Sequence, residues 1–306
     1  MWTQVSGYRR LGLVQVSLAG LIWGTTGVVV QWVIADSGLD PFSIGLYRLA
    51  VAAVVLLAVF VASNAHRLRQ LTDAVRTQPV ALVVSGMGLG LYQALYFVAV
   101  ANAGVGIATV VALGMAPVMT AAYESLRLRQ PATALKVGSI LTALVGLGLV
   151  TVAGADSTAG PRPVLGLLAA GGSGLIYSVS TVVGRHAVQT TPAVVMTTLT
   201  SSIGTLTLLP FGLVAGLGFA PTTVTLTGLA YLGVATTTVA YGLYYAGLRT
   251  TIGSTAAVLT LLEPVTAVVL AVVLLGEALA PASVVGTVLL LSSIAALYLT
   301  PRSRDG

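Results

Sequence analysis

GMGLGLYQALYFVAVANAGVGIATVVALGMAPV (residues 86–118) and GVATTTVAYGLYYAGLRTTIGSTAAVLTLLEPV (residues 233–265) align without a gap at an offset of 147. Gly86, Ala99, Gly106, Val111, Pro117 and Val118 fall on Gly233, Ala246, Gly253, Val258, Pro264 and Val265. Two shorter matches keep the same order: Gly20-Leu21-Ile22-Trp23 falls on Gly174-Leu175-Ile176-Tyr177, and Pro41 on Pro192. Each stretch is apolar over lengths that suit a bilayer, where roughly 20 residues of helix cross the hydrocarbon. Working outward, ten spans are predicted: 13–34, 41–63, 79–99, 106–124, 134–153, 163–184, 193–216, 225–247, 254–275 and 282–300. Turn formers separate them, among them Asp36-Ser37-Gly38 with Asp40-Pro41, Asn102-Ala103-Gly104, Gly154-Ala155-Asp156, Gly160-Pro161-Arg162-Pro163, Gly218 to Pro221, and Pro281.

All three matches lay span n on span n+5. Five is an odd number, so the halves cross the membrane in opposite senses, the inverted-topology repeat that places a binding site near the midplane. The expected fold is all-α and integral to the membrane, ten transmembrane helices in two inverted-topology five-helix repeats. The first repeat is expected at 1–153 and the second at 163–300, with an outer linker at 154–162 and a cytoplasmic tail at 301–306.

Composition supports this. Of 306 residues, 57% are hydrophobic and 7% charged, against about 25% charged in soluble domains. A mean hydropathy of +1.00 leaves too little polar surface for a soluble sphere. With the N-terminus inside, Arg9, Arg10, Arg67, Arg69, Arg76, Arg127, Arg129, Lys136, Arg185, Arg249, Arg302 and Arg304 fall on the inner side. Arg162 alone falls in an outer connection, and Arg48 lies within a span. This positive-inside asymmetry puts both termini in the cytoplasm and the protein in the cell membrane. It also accounts for the net charge of +6 without nucleic acid. The apolar stretch after Arg10 is longer than a signal-peptide core and reads as a retained first span.

The absence of cysteine excludes disulfides, thiolate catalysis and Cys-ligated metal. The single lysine, Lys136, stands in no phosphate-binding loop, and no H-E-x-x-H is present. No cofactor or metal is expected. Gly171-Gly172-Ser173-Gly174 looks superficially like a membrane serine-protease motif. His186, however, is 13 residues along the same helix, about 20 Å away at 1.5 Å per residue, too far to act as its base.

The chain resembles the drug/metabolite transporter superfamily, specifically its EamA-type ten-helix members. The resemblance rests on Leu21-Ile22-Trp23-Gly24-Thr25, Pro41 with Tyr47-Arg48, Ala116-Pro117-Val118, Leu262-Glu263-Pro264-Val265 and Leu275-Gly276-Glu277. Where the first half should repeat the glycine–glutamate pair, Arg129-Gln130 stands instead. The resemblance implies gradient-driven movement or exchange of small metabolites, often amino acids outward. Multidrug or nucleobase efflux, and a channel-like facilitator, stay open as alternatives, as does monomer or homodimer.

Ionisable groups inside a bilayer are costly and point to function. Glu263 lies in span 9 beside Pro264, where a proline frees a backbone carbonyl and kinks the helix. It is a candidate for taking up a coupling proton or meeting a substrate ammonium. Pro117 is the matching kink in span 4. Arg48 stays charged and must find a carboxylate, carbonyls, water or a substrate anion, or snorkel to the interface. Together Arg48 and Glu263 would suit a zwitterion. Tyr47 joins the candidates through its motif. Glu124 is expected to pair with Arg127. Tyr92 and Tyr96 share a face in span 3, as do Tyr241 and Tyr245 in span 8, with Tyr244 beside them. These read as two gates, outer and inner, or as an interfacial aromatic belt, which suits Tyr245 best. Trp23 and its repeat mate Tyr177 are candidates for the cavity floor. The Gln93 amide is placed either for a substrate or for an interhelical bond.

Overall fold

The computed structural model describes residues 2–63, 65–129, 131–153, 161–275 and 280–299. Gly276-Glu277, most of the 154–162 linker and the 301–306 tail lie outside the described residues. The elements are α1 (Trp2–Gly24), α2 (Thr26–Ser37), α3 (Pro41–Val61), α4 (Ala65–Thr77), α5 (Pro79–Ala103), α6 (Val105–Leu128) and α7 (Ala134–Ala153) in the first half. The second half holds α8 (Pro163–Ala187), α9 (Ala193–Ala215), α10 (Thr223–Gly233), a π-helical segment (Val234–Val239), α11 (Ala240–Leu248), α12 (Gly253–Leu259), α13 (Leu262–Leu275) and α14 (Pro281–Leu299). Among the described residues ten helical segments are long and apolar enough to cross a membrane. Span 1 is α1 with α2, span 8 is α10 through α11, and span 9 is α12 with α13.

The turn chemistry sets the ends. Asp40 accepts from the Phe42 N–H at 2.8 Å, capping α3 ahead of Pro41 at its first position. Pro79, Pro163 and Pro281 also stand at the first position of their helices, with no side-chain cap from Gln78 or Arg162. Gly104 takes φ +85° between α5 and α6, a value an L side chain rarely adopts.

The packing pattern is unchanged when the halves are exchanged. Span 3 packs most closely on span 6, and its image, span 8, packs on span 1. Span 4 also packs on 6, and its image, span 9, on 1; spans 2 and 7, 4 and 9, and 5 and 10 pair across the halves. This is what a two-fold between repeats requires, and it follows from the alignment that laid span n on span n+5. Small residues permit the closest crossings: a Cβ on Gly146 would stand 2.7 Å from the Gly286 carbonyl. Large apolar side chains such as Val54, Leu168 and Val214 are exposed on the outside of the bundle, as lipid contact demands.

Four local features differ from the sequence expectation. Spans 3 and 4 run on to Ala103 and Leu128, beyond residues 99 and 124, because helical hydrogen bonding continues past the apolar core. Span 1 reaches Ser37 and is interrupted at Thr25, whose hydroxyl bonds back to the Ile22 carbonyl. Arg67, Arg69 and Arg76, between spans 2 and 3, stand on a short helix, α4, that the span pattern did not include. Ala74 is buried and Leu71 packs on the core, so this short helix is held by its apolar face. Spans 8 and 9 are irregular, with consequences for the site.

Candidate functional site

A cavity of about 490 Å³ lies between the halves. Trp23, Arg48, Tyr92, Gln93, Tyr96, Tyr177, Tyr241, Glu263 and Pro264 all line it. Gln31, Gly45, Phe97, Thr109, Ser173 and Thr260 line it as well. It reaches Pro41 and exposed Val105 at the chain reversals of one end of the bundle. Lys136, Arg185 and Arg249 mark the opposite end.

Three irregular spans form one side and pack on one another. In span 9 the helix is broken at Thr260-Leu261, and α13 restarts with Glu263 in its first turn. Pro264 therefore costs no helical hydrogen bond, since the first-turn N–H groups have no partner in any case. The proline gives an interruption here, whereas Pro117 sits inside the unbroken α6. The Glu263 carboxylate stands where the helix N-terminus carries partial positive charge. Gly24 of α1 makes room for this break: a Cβ there would meet Thr266 and stand 2.6 Å from the Glu263 carbonyl. In span 8 the π turn shifts N–H groups from the fourth to the fifth preceding carbonyl. The Thr236 carbonyl within that turn accepts the Trp23 indole N–H at 2.9 Å. The run Thr236-Thr237-Thr238 was the visible sign, three polar β-branched residues in an apolar span.

Trp23, Tyr92, Tyr177, Tyr241, Tyr244 and Tyr245 form one connected cluster. The Tyr92 and Tyr241 hydroxyls are 2.8 Å apart, joining α5 to α11. Trp23 packs on Tyr241 and Tyr244, with ring centroids 4.8 and 5.4 Å away, and Tyr92 meets Tyr177 edge-on at 5.5 Å. Tyr96 and Tyr244 stand apart from the Tyr92–Tyr241 bond, bonding to Thr109 at 2.7 Å and to Thr181 at 2.8 Å. Tyr244 is buried outside the cavity lining. Tyr245 is 4% exposed and packs on Tyr241 and Tyr244, which corrects its assignment to an interfacial belt. Tyr47 lies away from the cavity: its ring meets Phe219 and its hydroxyl donates to the Leu217 carbonyl at 2.6 Å.

Arg48 does not snorkel. Its Nη2 donates to Gln93 Oε1 at 3.0 Å, and its Nε is buried without a partner. The Gln93 Nε2 donates in turn to the Leu89 carbonyl at 2.9 Å. Arg48 and Glu263 interact electrostatically across the cavity, yet among the described residues no ion pair joins them. Glu124 is corrected in its partner. It pairs with Lys136 at 2.6 Å and not with Arg127, and it accepts from the Ser254 N–H and hydroxyl at the start of α12. Ser173 donates to the Tyr92 carbonyl and His186 bonds the Val182 carbonyl, so the two share no bond. Among the described residues no cluster of three or more His, Cys, Asp or Glu side chains could hold a metal ion.

The comparisons agree with this architecture. The chain is 29% identical over 94% of its length, and 94% of the relative's, to the uncharacterized transporter YwfM of Bacillus subtilis strain 168. It is 25% identical over 97% of its length, and 98% of the relative's, to the uncharacterized inner membrane transporter YicL of Salmonella typhimurium strain LT2. A solved crystal structure superposes with a TM-score of 0.78 over 94% of this chain and 96% of that one; at 22% identity the likeness is of fold. The model of the EamA-like transporter family matches twice, over residues 10–152 and 164–299. With one match to each half and ten apolar helices, the chain belongs to the EamA-like transporter family of the drug/metabolite transporter superfamily and is a multi-pass membrane transporter.

Proposed function

We propose that the protein is a secondary-active carrier that moves amino acids or related zwitterions across the cytoplasmic membrane by alternating access, as an exporter or exchanger. The observation that carries this reading is that Arg48 and Glu263 line one cavity from opposite halves and, among the described residues, make no ion pair. Isolated opposite charges in a poorly polar space attract strongly, and a site that keeps them apart can receive a molecule carrying both signs. Trp23, Tyr92, Tyr177 and Tyr241 surround them with ring faces that suit an ammonium and an apolar side chain. The cavity volume falls in the range of small-molecule sites. Glu263 is also the candidate for proton coupling. The basic residues gathered at the end away from Pro41 and Val105 support an inner side there, with both termini cytoplasmic.

The test is counterflow in proteoliposomes preloaded with a mixture of unlabelled neutral amino acids. Saturable uptake of a labelled one, accelerated by the preload, is expected. Linear, unsaturable flux would reject the carrier in favour of a channel, and the absence of flux for every amino acid would reject the substrate class.

A further inference from the structure

Arg48 sits on α3, within reach of Glu263 electrostatically, and a free arginine side chain would be drawn to that carboxylate. The side chains that engage it, Gln93 at 3.0 Å and Tyr92, are both neutral and both on α5. A neutral partner fixes the guanidinium without cancelling its charge. Gln93 is itself immobilised, 4% exposed and bonded through its amide nitrogen to the Leu89 carbonyl. Gly45, three residues before Arg48 on the same face of α3, completes the arrangement. A Cβ there would stand 3.2 Å from the Phe97 ring, closer than side chains ordinarily pack, and at ordinary contact distance, 3.6 Å, from Gln93 Oε1, so the glycine lets α3 lie close to α5 beside the amide. One donor of the held guanidinium, Nε, is buried and unsatisfied. A buried charged donor left without an acceptor is expensive, and a carboxylate oxygen would satisfy it.

The arrangement occurs once. At the offset of 147 Gln93 falls on Ala240 and Glu263 on Ala116, and at the offset of 151 that lays Pro41 on Pro192, Arg48 falls on Leu199. The repeat therefore does not duplicate either charge: the cation belongs to the first half and the anion to the second.

Resting on the zwitterion reading above, we propose that Gln93 is a specificity-determining positioning residue. It holds Arg48 against the first half, apart from Glu263, so that the guanidinium receives a substrate carboxylate while the ammonium lies toward the second half.

The experiment measures binding of the neutral amino acids, each beside its decarboxylated amine, to purified full-length protein and to Gln93→Met and Gln93→Glu. Methionine keeps the length and loses the acceptor; glutamate keeps the shape but neutralises Arg48 by pairing with it. Wild type is expected to bind at least one amino acid about tenfold or more tighter than its amine, a difference of about 1.4 kcal/mol. Both variants are expected to lose about tenfold of that preference, with the amine's Kd within about threefold of wild type. If Gln93→Met does not fold, the isosteric Gln93→Glu decides. An unchanged acid-to-amine ratio in a folded variant, or an equal loss of acid and amine binding, overturns the role of Gln93 alone. Wild type without any preference for acid over amine overturns the zwitterion reading and this proposal with it.

Discussion

The Tyr92–Tyr241 hydroxyl bond crosses from the first half to the second and lends itself to a double-mutant cycle. Its two members are unequally placed. Both rings line the cavity, but Tyr92 is half-buried whereas Tyr241 is 4% exposed. Tyr241→Phe leaves the Tyr92 hydroxyl where cavity water can bond it, which costs about 0.5–1.5 kcal/mol, the net worth of an ordinary hydrogen bond. Tyr92→Phe leaves the hydroxyl of the less exposed Tyr241 without its partner, at about 1–3 kcal/mol. With both hydroxyls removed nothing is stranded, and the double variant should cost about 1 kcal/mol or less. The cycle should therefore show non-additivity of about 1–2 kcal/mol, with Tyr92→Phe the more damaging single change. Unfolding of the four proteins in the same micelles measures this. A double variant equal to the sum of the singles within about 0.5 kcal/mol would refute the reasoning. So would Tyr241→Phe being the costlier change, since it would mean that exposure does not govern the surviving hydroxyl. Any conformer in which the halves part at this level loses the bond, so the single variants should also exchange substrate faster.

Three further outcomes are expected. Gly24→Ala puts a methyl against Thr266 and the Glu263 carbonyl and should cost about 1–3 kcal/mol, while Gly27→Ala, with nothing within 4 Å, should gain about 0.4–1 kcal/mol in the same unfolding assay. Glu263→Gln should flatten the pH dependence of transport in proteoliposomes, while Glu124→Gln, whose carboxylate is engaged by Lys136 and Ser254, should keep it; unchanged pH dependence in Glu263→Gln removes it as the coupling group. The chain has no cysteine, so single cysteines report topology directly: in right-side-out vesicles a membrane-impermeant maleimide should label Gly218→Cys and spare Thr77→Cys, and the reverse pattern would invert the orientation.

The fold was legible because its determinants are local or periodic. Apolar length fixes a span wherever it occurs, and proline, glycine and Asp40 mark ends by their own backbone chemistry. The repeat was written in the chain as an alignment, and an odd number of spans turns it into an inversion without any knowledge of packing. The charges that a bilayer should exclude, Arg48 and Glu263, stood out by the same logic, and both prove to line the cavity. Other features depend on neighbours remote in sequence. Glu124 chose Lys136 over the adjacent Arg127 because α7 brings the lysine to its carboxylate. Tyr245, spaced like a belt residue, is covered by other rings. The π turn of span 8 and the break of span 9 are stabilised from across the bundle, by the Trp23 indole and the close approach of Gly24. Tyr92 and Tyr241, assigned by position to separate ends, meet hydroxyl to hydroxyl. The sequence by itself determined ten spans, an inverted repeat and two costly charges, since hydropathy and helix-end chemistry act residue by residue. Only the tertiary structure decided that Arg48 donates to Gln93 and, among the described residues, makes no ion pair with Glu263, since hydrogen-bond partners are chosen by distances that only packing sets.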